Sequence, residues 1–282
     1  MSSRRFVLAL GAALAALLVL AGPAAADLFT PESGGSPNAD KIDTLYKVTL
    51  YISIPILLLV EGTLIWSLVK YRAKRGGQAE QIRGNTPLEM GWTIGAAVIL
   101  VILTVITFAF LPGITDPEKS GPSIAGGVQV ASVGQPNAPG GGGMRIEVNG
   151  QQYLWRYDYP GKDELFTYHE MVVPTDTTVS LDITSSDVQH SWWIPKLGGK
   201  ADAVPGHVNE TWFKITKPGR YEGQCAELCG AGHADMRGVV RAVPPDEFRR
   251  WAAKQRTDIK AAQDGLATTR RAREAAQAEE TE

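Results

Sequence analysis

Two long, nearly uninterrupted runs of apolar residues, Val48 to Val69 and Met90 to Leu111, stand out in the first third of the chain. At roughly 1.5 Å of rise per residue, each predicts a helix long enough to cross a hydrocarbon core of about 30 Å. The second run contains no charged residue, whereas the first contains Pro55 and Glu61. The segment joining them is strongly basic, with Lys70, Arg72, Lys74, Arg75 and Arg83. Short loops rich in Lys and Arg stay in the cytoplasm, so the far end of each helix, and everything after Leu111, is expected outside. Trp66, Tyr71 and Trp92 suit the membrane–water interface. A third apolar run, Phe6 to Ala21, follows Arg4 and Arg5 and precedes Ala24, Ala25 and Ala26. That order predicts an export signal cleaved before Asp27, the other reading being an uncleaved first membrane helix.

Beyond Leu111 the pattern changes twice. Residues 112–143 are rich in Gly, Pro and Ser, including Pro139-Gly-Gly-Gly-Gly143, and read as a linker or insertion. From Met144, short runs of β-branched and aromatic residues alternate with polar ones between Pro, Gly and Asp turns, at 145–148, 153–157, 177–183, 210–215, 219–222 and 238–242. That spacing predicts an antiparallel sandwich or barrel. Residues 245–282 turn to Ala, Glu, Arg and Lys, a charged helix or tail in which Phe248, Trp251 and Ala252 offer a packing face. The expected fold class is an α+β membrane protein, a two-helix transmembrane hairpin followed by an all-β domain. Its parts are a signal peptide (1–26), an outer N-terminal segment (27–47), the hairpin (48–111, with spans 48–69 and 90–111 and cytoplasmic loop 70–89), the linker (112–143), the β domain (144–244) and the C-terminal segment (245–282).

Composition adds mainly exclusions. With 28 Lys+Arg against 30 Asp+Glu, the chain lacks the basic footprint that nucleic-acid binding needs. Two cysteines are too few for a disulfide-dense scaffold, a four-thiolate iron–sulfur cluster or a four-cysteine zinc site. The mean hydropathy of -0.08 resembles that of a soluble protein only because it averages the apolar first third with a polar remainder. From 112 to 244 the chain carries 15 acidic and 11 basic residues, with Asp158, Asp163 and Glu164 close together. Such a cluster attracts a basic partner, or is an ordinary solvated loop. Glu61, inside a span, reads as a proton-handling group or a polar contact to a neighbouring subunit. Glu89, at the start of the second helix, is also a carboxylate suited to the positive end of the helix dipole.

The chemistry concentrates in one stretch, Cys225-Ala-Glu-Leu-Cys229-Gly-Ala-Gly-His233-Ala-Asp-Met236, with His190 upstream. Two thiols, two imidazoles and a thioether suit copper or zinc, and the thioether favours copper. A disulfide is the default for an exported cysteine pair, but it leaves His233 and Met236 without a reason. A zinc site of two Cys and two His leaves Met236 out, and taken singly His190 or Met236 is more often a core residue than a ligand.

At these residues the sequence resembles subunit II of the haem-copper cytochrome c oxidases. The likeness extends over nearly the whole chain after residue 26 and rests on the helical hairpin, Glu89 with Trp92-Thr93, Asp187-Val-Gln-His-Ser-Trp192, Lys200-Ala-Asp-Ala-Val-Pro-Gly206, and Pro218 to Met236. It implies a cupredoxin-like barrel holding the two copper ions of a CuA centre. In the family, residues matching Cys225 and Cys229 bridge both ions, those matching His190 and His233 each bind one, and Met236 and the Glu227 carbonyl take the axial positions. The resemblance also implies a magnesium ion held by the Glu227 side chain at the contact with subunit I, and a proton path into subunit I whose cytoplasmic mouth is Glu89. The aromatic segment through which the family takes up electrons corresponds to 152–157. Tyr153 aligns where the family commonly has Trp, and Trp155 follows two residues on, so these two are the candidates for electron input.

The implied function is cytochrome-c oxidase, with this subunit accepting electrons from cytochrome c and passing them to haem in subunit I for oxygen reduction coupled to proton pumping. Its partners would be subunit I, further oxidase subunits and the lipid bilayer. Its place would be a bacterial-type cell membrane, with the copper domain on the periplasmic or extracellular face. No Cys-x-x-Cys-His follows the copper motif, so the donor is a separate protein. The Gly-rich insertion at 119–143 has no functional account. Two alternatives are a quinol oxidase subunit II without CuA, which the intact ligand set opposes, and a membrane-anchored copper carrier, which would need exposed, exchangeable ligands.

Overall fold

The computed structural model describes residues 30–72, 80–118, 143–159, 161 and 164–280. The expected export signal, residues 73–79 of the basic loop, nearly all of the Gly-rich insertion and Asp163 lie outside the described residues. The chain divides into two compact units, one containing 43–110 and the other 33–42 with 111–282.

Helices α1 (Pro37–Lys70) and α2 (Thr86–Thr115) are long and apolar enough to cross a membrane, and no residue of either apolar window is buried. Their few hydroxyls are hidden by the helix itself. Thr49, Thr63, Thr104 and Thr107 donate to the carbonyls four residues back at 2.7 to 3.0 Å, so that these hydroxyls are satisfied within their own helix. α1 starts on Pro37, whose missing N–H costs nothing at the first helical position. The start of α2 is closed reciprocally. Leu88 N–H donates to Asn85 Oδ1 at 3.2 Å, and Asn85 N–H donates to Glu89 Oε1 at 3.0 Å.

The second unit is built on strands β1 (Met144–Gln151), β2 (Leu154–Tyr159), β3 (Leu165–Tyr168), β4 (Glu170–Pro174), β5 (Thr178–Ser185), β6 (His190–Trp193), β7 (Ala201–Ala203), β8 (Asn209–Lys214), β9 (Gly219–Cys225) and β10 (Arg237–Val243). They form two five-stranded sheets, ordered β3-β2-β1-β5-β8 and β4-β10-β9-β6-β7, in the expected cupredoxin-like arrangement. Alternation selects the core face. Val148 lies opposite Tyr157 on β2 and Ile183 on β5, Ile146 lies opposite Leu181, and all five are fully buried. Between the sheets, Trp192 stacks on Phe213 with centroids 6.2 Å apart. The sheets are not wholly antiparallel as expected, because β1 pairs with β5 and β10 pairs with β4 in parallel. Period-2 alternation fixes which face a residue occupies and is silent on strand direction.

The C-terminal segment is a helix, α3 (Pro245–Glu280). Phe248, Ala252 and Ile259 are buried, and Tyr159 meets Phe248 and Trp251 at centroid distances of 6.5 and 5.5 Å.

Candidate metal centre

Strand register brings the sulfur and imidazole groups together. His190 opens β6 and Cys225 ends β9, and these antiparallel neighbours pair Trp192 with Cys225. From Cys225 the chain loops out to the start of β10 and is closed at its base by Cys225 N–H donating to the Met236 carbonyl at 2.9 Å. The loop thus carries Cys225, Cys229, His233 and Met236 as one unit, and β6 supplies His190 beside it.

Sulfur to sulfur, Cys225 and Cys229 are 3.9 Å apart, nearly twice the ~2.05 Å of a disulfide, and both are free thiols. Nδ1 of His190 is 3.8 Å from the Cys225 sulfur, and Nδ1 of His233 is 3.7 Å from the Cys229 sulfur. Met236 Sδ is 3.9 Å from Cys229, and the Glu227 carbonyl oxygen is 3.2 Å from Cys225. His190 and Met236 are fully buried, Cys225 and Cys229 almost so, and Glu227 is an exposed residue. Burial, assisted by the neighbouring Cys225, pushes the Cys229 thiol up to about 11. That thiol therefore keeps its proton at neutral pH unless a cation draws it off.

These donors fit two soft ions better than one. The ligand atoms of His190, Cys225 and Cys229 lie within 4.8 Å of one another, and His233 falls outside that group. A single tetrahedral zinc with bonds of about 2.0 to 2.3 Å needs all four donors within ~4 Å of one another. Here each imidazole faces a different sulfur, and the thioether and the carbonyl stand beside different sulfurs as well.

The two aromatic candidates occupy different places. Tyr153 lies in the turn between β1 and β2, is 37% exposed, and covers the cysteine loop so closely that a Cβ on Gly232 would fall 2.6 Å from its ring. Trp155 is fully buried, with its ring centroid 5.9 Å from that of His190 at 66°. It adjoins an imidazole and has no surface with which to meet another protein. Of the acidic residues that follow this segment, Asp158 and Glu164 are among the described residues. Asp158 is the last residue but one of β2. Its carboxylate is taken by Arg156 at 2.7 Å, and Glu164 accepts from Gln263 of α3. Glu89 is exposed, and its carboxylate serves the α2 cap.

Asp187 and Gln152 belong to the site although neither stood out as a functional residue in the sequence. Asp187 Oδ1 meets Nε2 of His190 at 2.9 Å. Burial alone would raise the Asp187 carboxyl, but hydrogen bonds from His190 and from the N–H groups of Gln152 and Val188 hold it below the usual carboxylate range. Gln152 also donates from Nε2 to the Cys229 carbonyl at 2.6 Å, tying the β1–β2 turn to the cysteine loop. The available signal was Asp-x-x-His at a strand entrance, where a turn can fold the carboxylate back onto the ring.

Comparison with known proteins gives one consistent result. Residues 24–110 match the family model described as cytochrome c oxidase subunit II, transmembrane domain, and residues 162–243 match its periplasmic domain. The chain is 32% identical over 240 residues to a probable cytochrome c oxidase subunit 2 of Rickettsia bellii, covering 78% of this chain and 81% of the relative. It is also 32% identical over 270 residues to cytochrome c oxidase subunit 2 of Cereibacter sphaeroides, covering 80% and 82%. Among solved structures, the periplasmic domain of subunit II of the Bradyrhizobium japonicum cytochrome oxidase is 35% identical, covers 44% of this chain and 97% of that domain, and has a TM-score of 0.41.

Proposed function

The chain belongs to the family of cytochrome c oxidase subunit II, and from that membership and the sulfur–imidazole cluster we propose that its outer domain takes electrons from a c-type cytochrome into a CuA centre and delivers them to haem in subunit I. Oxygen is reduced in that partner, and this subunit supplies the electrons. The observation that carries the reading is the pairing of each cysteine sulfur with a different imidazole, at 3.8 and 3.7 Å. Cys225 and Cys229 would be shared by two copper ions, His190 and His233 would hold one each, and Met236 and the Glu227 carbonyl would each complete one ion. When bound, the copper pair supplies a one-electron carrier whose charge is spread over two metals. The chain's own part is to hold the donors rigidly and dry, since His190 and Met236 are fully buried and the loop is closed at its base. That burial argues against a copper carrier, which needs accessible ligands, and the full ligand set argues against a quinol oxidase subunit.

Three finer assignments follow. Tyr153, the exposed aromatic over the cysteine loop, receives the electron from the donor, and Trp155 acts below the surface by packing against His190. The Glu227 side chain offers a hard oxygen to magnesium at the contact with subunit I. Glu89, while capping α2, presents a carboxylate at the cytoplasmic mouth of a proton path. The protein would sit in the cell membrane with its copper domain on the outer face, in line with the basic loop between the spans.

The test is the EPR spectrum of the copper-loaded chain. The expected result is a hyperfine pattern from one electron shared by two copper nuclei, and a mononuclear pattern or tight retention of zinc would overturn the reading.

A further inference from the structure

Asp187 precedes His190 by three residues and turns back onto it. Its Oδ1 accepts from His190 Nε2 at 2.9 Å and from Val188 N–H at 2.6 Å, and the Ser185 hydroxyl lies 3.3 Å from the same oxygen. Its Oδ2 accepts from Gln152 N–H at 2.7 Å, across from the β1–β2 turn of the other sheet. A neutral imidazole carries one proton, so a proton kept on Nε2 by the carboxylate leaves Nδ1 as a lone pair, and Nδ1 is the atom facing Cys225. The ring has no room to turn. It is fully buried, it meets the edge of Trp155, and Gly150 backs it so closely that a Cβ there would lie 2.9 Å from Cδ2. His233 is only half-buried, and among the described residues its Nε2 has no hydrogen-bond partner.

We propose that Asp187 is a positioning residue for the metal centre: it fixes the tautomer and plane of His190 so that Nδ1 faces the Cys225 sulfur, and Gln152 in turn fixes Asp187. The proposal rests on the reading of His190 as a copper ligand. A carboxylate on the outer nitrogen makes an imidazole a stronger donor and favours the more highly charged metal. The two histidines would therefore be unequal ligands, with His190 the stronger.

The test compares the full-length chain in detergent micelles with Asp187→Ala and Asp187→Asn, the second keeping both shape and an acceptor oxygen. In the copper-free chain, the ¹⁵N spectrum of the wild type is expected to show His190 as the Nε2–H tautomer, retained in the Asn variant and averaged between tautomers in the Ala variant. In the copper-loaded chain, the Ala variant is expected to hold copper about 10- to 100-fold more weakly against a chelator. The reduction potential is expected to rise in both variants. A wild-type ¹⁵N signal for His190 in Asp187→Ala, or an unshifted potential in an intact centre, would overturn the proposal. If the tautomer changes as expected but the wild type gives no two-copper spectrum, the positioning of His190 stands and the copper reading fails.

Discussion

At the scale of single residues, Gly232 has no side chain because Tyr153 occupies the space that one would fill, with the ring 2.6 Å from the position of a Cβ. Gly232→Ala must displace the ring or the loop, and overpacking of this kind costs about 1 to 3 kcal/mol. Tyr153→Ala vacates that space, so the double variant is expected to be more stable than the sum of the single losses implies. Denaturant unfolding of the four forms measures this coupling, and strict additivity would show that the contact is not felt. The two aromatics should also separate functionally. Tyr153→Ala is expected to slow reduction of the copper centre by cytochrome c while leaving its spectrum unchanged. Trp155→Ala opens a cavity beside His190 and is expected to destabilise the domain by about 3 to 5 kcal/mol and to alter the spectrum. Sequence alone could not tell them apart. Both are aromatic and two residues apart, but Tyr153 sits in the turn, whereas Trp155 is on the inward face of β2.

At the scale of elements, the two apolar helices were legible because hydrophobic length is a one-dimensional property, and the roles of residues at their ends were less so. Glu89 was read both as a proton-path residue and as a first-turn carboxylate, and its bond to Asn85 N–H gives the second role a geometry. Substitution can separate the two. Glu89→Gln keeps an acceptor oxygen for the cap but loses the titratable charge, whereas Glu89→Ala loses both. If the carboxylate passes protons, oxygen uptake by the assembled complex is expected to fall in both variants. Undiminished turnover in Glu89→Gln with a loss in Glu89→Ala would leave only the cap, worth about 1 kcal/mol. α3 shows the opposite balance. Its charged composition left open whether it packs at all, and the decisive contacts are Phe248 and Trp251, in its first two turns, against Tyr159. Phe248→Ala is expected to cost about 3 kcal/mol, read from denaturant unfolding of the chain, while removal of the residues after Gln263 is expected to change that transition little.

At the scale of the whole molecule, the ligands were legible and their surroundings were not. Cys-x3-Cys-x3-His-x2-Met is contiguous, so its chemistry can be read from spacing, and His190 joins it through a β6–β9 register that no local pattern reports. The parallel pairings of β1 with β5 and β4 with β10, and the Gln152 and Asp187 links between the turn and the two ligand segments, depend on contacts far apart in the chain and appear only in three dimensions. Cys225, Cys229 and Met236 belong to the buried cluster, but that cluster extends well beyond them. Ile146, Val148, Tyr157, Leu181, Ile183 and Phe213 bury their side chains without taking part in the ligand set. Cys225→Ser exchanges a buried sulfur for a smaller, more polar oxygen at the end of β9 and leaves those contacts and both membrane helices in place. The variant is expected to insert and fold, with the far-ultraviolet dichroism of the wild type, yet to lose the two-copper spectrum and electron uptake from cytochrome c together. Should the shared hyperfine pattern survive in Cys225→Ser, the thiol would not be a bridge, and the centre would have to be rebuilt around Cys229 alone.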